Sequence, residues 1–121
     1  MAAALGRVVI YTKKMDEMAA FYARHFGFKV QRRDGDRLVE LTPELQGIPI
    51  LLHPAASRQK EGQVLVKLVF DVEDVEAFCL SAKADGLTFG PVQRGAGYVF
   101  ANAKDPSGNP IQISGRAFVQ P

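Results

Sequence analysis

The feature that most constrains this chain is an internal repeat. Shifted by about 60 residues, Met15 falls on Val75, Met18 on Phe78, Ala19 on Cys79 and Tyr22 on Ala82. The same shift sets Arg7 on Lys67, and one residue more sets Ile50, Leu51 and Leu52 on Ile111, Gln112 and Ile113. Each half has the same order: a β-prone strand, an amphipathic helix, then three more strands. Two such units let two curved sheets share one face, with the first and fourth strands of each half around a common cup. The expected fold is therefore α+β, two tandem βαβββ modules forming a curved mixed sheet with a central cup. At 121 residues the chain is expected to be one domain over 1–121, with module one at about 5–54, a linker at 55–62 and module two at about 63–115.

Local signals fill in the pattern. Arg7 to Tyr11 is short and β-branched, and Thr12 is placed to cap the helix after it. Met15, Met18, Ala19, Tyr22 and Phe26 recur at helical spacing, and Gly27 ends that helix. Phe28 to Arg32 alternates as a half-buried strand, Asp34-Gly35-Asp36 reads as a tight hairpin turn into Arg37 to Leu41, and Ile48 to His53 makes a fourth strand. In the second half, Val64 to Phe70 reads as a strand, and Asp71 with Asp74 offers a helix cap. Val72, Val75, Phe78, Cys79 and Ala82 mark the second helix, closed by Gly86. Leu87 to Phe89, Tyr98 to Ala103 and Ile111 to Ser114 are predicted strands. Between the last two, Asp105-Pro106-Ser107-Gly108-Asn109 has the chemistry of a turn: Pro106 presets φ and Gly108 supplies a positive one.

Composition narrows the function. A net charge of +2 without a basic run argues against nucleic acid, and no apolar run approaches the roughly 20 residues of a membrane span. The N-terminus lacks the basic and long apolar regions of a secretory signal. Cys79 is the single cysteine, so no internal disulfide can form, which suits a reducing, cytoplasmic setting. On the apolar stripe of its helix it reads as a packing residue, not a nucleophile. Gly90-Pro91 and Gly95-Ala96-Gly97 have no following helix to make them phosphate loops; the latter is expected to be a mobile loop over the mouth of the cup.

The chain resembles the vicinal oxygen chelate superfamily of glyoxalases, bleomycin-resistance proteins and extradiol dioxygenases. The residues that carry the resemblance are Phe21-Tyr22 with His25-Phe26-Gly27-Phe28 in the first half, and Asp85-Gly86 with Asp105-Pro106-Ser107-Gly108-Asn109 in the second. The resemblance spans roughly residues 5–115 and implies a divalent metal held by His or Glu on the first and fourth strands of each half. Carried over, those positions are Arg7, Leu51, Lys67 and Gln112. A guanidinium has no lone pair to give, an ammonium must first lose its proton, leucine cannot coordinate, and a neutral amide is a weak ligand. His53 and Glu40 are the only other plausible donors, too few for a site. No metal and no cofactor are expected.

Period-two alternation puts Arg7 and Tyr11 on one face with Leu51 and His53, and Lys67 on a face with Tyr98, Phe100, Asn102 and Gln112. These nine are the candidate ligand-binding residues, and His53 and Lys67 are the candidate catalytic groups. Such a lining suits a partly apolar ligand with an anionic or carbonyl group. A second reading stands beside it: Arg7 and Lys67 pair with acids such as Glu40 or stack on Tyr11, and His53 is a strand-end surface histidine. The favoured function is a metal-independent small-molecule-binding protein of the glyoxalase/bleomycin-resistance type. The alternative is a glyoxalase-like lyase or isomerase, or a dioxygenase-related enzyme, acting on a small carbonyl compound. In either case the resemblance implies a homodimer.

Overall fold

The computed structural model describes residues 1–119. The chain divides into two compact units, Met1–Glu61 and Gly62–Pro121. The first contains β1 (Val8–Thr12), α1 (Met15–Phe26), β2 (Lys29–Arg32), β3 (Val39–Thr42) and β4 (Ile50–Pro54). The second contains β5 (Leu68–Asp71), α2 (Val75–Ala84), β6 (Gln93–Arg94), β7 (Val99–Lys104) and β8 (Pro110–Ser114), followed by a 3-10 turn at Arg116–Phe118. Each unit is βαβββ, and each sheet is mixed. The orders are β1-β4-β3-β2 and β5-β8-β7-β6, with β1 parallel to β4 and β5 parallel to β8.

The repeat is visible in the register. Val9 lies opposite Leu51, and Val69 opposite Gln112, which are the same positions at shifts of 60 and 61. Likewise Glu40 opposes Leu51 as Asn102 opposes Gln112.

In the first unit α1 buries Met18, Ala19 and Tyr22, while Leu41, Ile50 and Leu52 are buried on alternate sheet positions. Full burial of such side chains contributes about 1.5–3 kcal/mol each. Asp16 and Glu17 at the start of α1, and Arg24 and His25 at its end, match the helix dipole. Gly27, at φ +73°, closes it by donating to the Ala23 carbonyl, as the sequence predicts. Thr12 is buried and its hydroxyl accepts from the Lys14 N–H at 2.9 Å, bending the chain into α1 without being the cap residue, which is Lys14. The β2–β3 connection is wider than a tight hairpin. Arg32 opposes Val39, and residues 33–38 hold a turn around Gly35 (φ +79°), followed by an Asp36 carboxylate that accepts from the Leu38 N–H.

The second unit departs further from the sequence pattern. Its helix is capped by Asp74, which accepts from the Ala77 N–H at 3.0 Å, and not by Asp71, which ends β5. β5 starts at Leu68, where β8 begins to offer a partner; Val64, Leu65 and Val66 have high β propensity but no strand beside them. Leu87 to Phe89 is not a strand. The Leu87 N–H is used to close α2 on the Ala82 carbonyl, and Leu87 and Phe89 are buried. Gln93–Arg94 takes the edge position instead. Gly95-Ala96-Gly97 forms the turn of the β6–β7 hairpin, where Gly95 donates to the Tyr98 carbonyl at 2.8 Å.

The Asp105–Asn109 turn is tied from within. Asp105, 5% exposed, accepts from the backbone N–H groups of Ser107 and Asn109 and from Asn109 Nδ2, each at 3.0 Å. Gly108, at φ +83°, lies so close to Gly62 that a side chain on either would be crowded. This turn delivers Gln112 to its place on β8.

Candidate functional site

In each unit the helix covers one sheet face, and the polar and aromatic candidates stand on the other. Across the first sheet run Val9, Leu51, Glu40 and Gln31, in register. The next position pairs Tyr11 with His53, whose rings lie 4.8 Å apart. Tyr11 is half exposed and His53 half buried. The Pro54 carbonyl can only accept, so the 2.8 Å contact from His53 Nδ1 makes that nitrogen the donor and leaves the Nε2 lone pair free on the neutral ring. Arg7 precedes β1 and is exposed; among the described residues no ion pair joins it to Glu40 and it does not stack on Tyr11. Leu51 and Glu40, with Gln31, Arg33, Asp36 and Leu38, line a small cavity of about 110 Å³.

The second unit brings its candidates into contact. Lys67 Nζ donates to Asn102 Oδ1 at 3.0 Å, and Gln112 Nε2 donates to the same oxygen at 2.9 Å. With that oxygen doubly used, the Asn102 amide nitrogen and the remaining Lys67 N–H groups are further donors. Val69, 51% exposed, stands beside Gln112, and Phe100 lies on the same face of β7 as Asn102. A cationic donor cluster beside Val69 can hold an anion or a carbonyl oxygen. The Tyr98 and Phe100 rings are 6.0 Å apart. Arg116, which no periodicity singles out, donates to the Tyr98 hydroxyl at 3.1 Å, with its guanidinium 5.3 Å from the ring centre.

The residues at the four family metal positions do not fit a divalent metal. Val9 and Val69 are the residues facing Leu51 and Gln112, and Lys67 is bound to an amide. Among the described residues no three His, Cys, Asp or Glu side chains gather as a ligand set. Among the described residues no helix is long and apolar enough to cross a membrane. Cys79 is half buried, and burial with the nearby Glu76 charge pushes its thiol above the ordinary value, the opposite of an activated nucleophile.

Two mixed four-stranded sheets, each with one helix in βαβββ order, define a tandem-module α+β protein of the glyoxalase/bleomycin-resistance fold. The sequence profile of the Glyoxalase/Bleomycin resistance protein/Dioxygenase superfamily matches residues 4–113, and the chain belongs to that superfamily. No curated protein matches it. Among solved structures it is similar to UcmS2, with a TM-score of 0.79 and 22% identity over 95% of this chain and 99% of that one. It is also similar to TnmS3, an antibiotic-binding protein from Streptomyces sp. CB03234, with a TM-score of 0.76 and 19% identity over 93% and 96%. The lactoylglutathione lyase of Agrobacterium tumefaciens gives 0.70 and 18% over 94% of each chain. At these identities the likeness concerns the fold.

Proposed function

We propose that this protein binds a partly apolar small molecule bearing an anionic or carbonyl group, without a metal. The observation that carries the reading is the Lys67–Asn102–Gln112 cluster, in which an ammonium and an amide converge on Asn102 Oδ1 in the row of Val69. The replaced metal positions support it, and so does the fold shared with an antibiotic-binding protein. The units act as modules of one domain, and the working form is a cytoplasmic homodimer. Catalysis on a small carbonyl compound is the second reading, favoured by the free Nε2 of His53, which could take a proton.

A thermal-shift screen of aromatic carboxylates and ketones, run with a chelator present, tests the proposal. Lys67→Met should leave the melting temperature equal or higher and weaken the best hit about tenfold or more. Hits that need added metal, or that bind Lys67→Met unchanged, overturn it. Turnover of a carbonyl hit that His53→Gln abolishes would favour the enzyme.

A further inference from the structure

A crevice of about 620 Å³ in the second unit does not coincide with the Lys67 cluster. It lies at the other end of β7, where the β6–β7 turn, the residues before α2 and the 3-10 turn converge. Gly95, Gly97 and Gly115 line it with backbone. Val99, Phe118 and Val119 supply apolar surface, and Tyr98 an aromatic edge fixed by Arg116. Val99 shares the strand parity of buried Ala101, not that of Asn102, while Tyr98, which also lines the crevice, has its ring 6.0 Å from that of Phe100 on the donor face.

Two opposite charges also line it, Glu73 and Arg94. They form no ion pair with each other, and neither has another charged partner among the described residues. We infer that this crevice is a second ligand site for a small zwitterion with an apolar side chain, of the free amino acid class. The Arg94 guanidinium, a planar fork matched to carboxylate, would take the acid end. The Glu73 carboxylate takes the ammonium, and the side chain lies on Phe118 and Val99. Either charge alone would suit a simple ion; the pair with an apolar wall selects a molecule carrying both.

The probe is L-phenylalanine, titrated into the full chain by calorimetry and by amide chemical-shift perturbation, with N-acetyl-phenylalanine amide as the uncharged control. The expected result is saturable binding of the zwitterion at up to about millimolar affinity, with shifts at Gly95, Gly97 and Gly115 and none for the control. Arg94→Gln and Glu73→Gln should each weaken binding about tenfold while far-UV circular dichroism is unchanged. Lys67→Met should leave it intact, so failure here and failure of the Lys67 site are read separately. Absence of saturation, equal binding of the control, or loss with Lys67→Met instead of the crevice variants overturns the inference.

Discussion

A carboxylate that is 5% exposed and receives three N–H donors makes Asp105 a tightly held side chain of the second unit. Removing it strands those donors in a buried turn, so Asp105→Ala should lose about 3 kcal/mol, read from the urea midpoint. Asp105→Asn is more informative. Its oxygen can still serve the two backbone groups, but its NH2 would face the NH2 of Asn109, donor against donor. Exchanging the pair, Asp105→Asn with Asn109→Asp, restores one donor opposite one acceptor. The double variant should therefore be more stable than Asp105→Asn alone, and a further loss would mean that the contact is not the cause. The turn itself was legible, since Pro106 and Gly108 fix its backbone. The tie between Asp105 and Asn109 was not, because it depends on burial of the loop. At the candidate site the strand parity of Asn102 and Gln112 was equally legible, whereas their sharing of one oxygen with Lys67 depends on side-chain reach.

Among the elements, the helices were read closely because each follows a 3.6-residue stripe; α1 ends on Gly27 and α2 on Asp85 followed by Gly86, both glycines at positive φ. The strands of the second unit were read less well for a physical reason: β propensity does not make a partner. Val64 to Val66 is apolar and extended-prone but lies before β8 begins to pair, while polar Gln93–Arg94 is a strand because β7 runs beside it. The hairpin they form depends on Gly95. A Cβ there would stand 2.5 Å from the Tyr98 ring, which would have to swing off its Arg116 hydrogen bond. Gly95→Ala should cost about 1 kcal/mol in a Tyr98 background and close to nothing after Tyr98→Ala. Equal costs in both backgrounds would place the effect in the backbone instead of the ring.

For the whole molecule, the repeat assigns equivalent positions but not equivalent chemistry. Arg7 and Lys67 correspond, as do Glu40 and Asn102, yet the second unit joins its pair and the first does not. The symmetry is one of backbone register, set by strand pairing that tolerates different side chains on the open face. The open face of each sheet bears on assembly. Val9, Tyr11 and Val69 are each about half exposed, and Leu65 is fully so, with Val64 and Val66 beside it. β1 and β5 are edge strands, each paired on one side only. Apolar faces next to unpaired edges favour covering by another chain. A stable homodimer would bury about 1,600 Å² in all, some 800 Å² from each chain, and these residues could supply part of it. Light scattering at micromolar concentration should therefore report twice 13.2 kDa. Leu65→Glu serves as the paired test: the side chain makes no core contact that its charge could break, so circular dichroism should stay unchanged while the mass falls toward that of one chain. A wild-type protein that scatters as a single 13.2 kDa chain would refute the dimer outright. A dimer unmoved by Leu65→Glu would keep the assembly but shift its interface away from the Val64–Val66 segment.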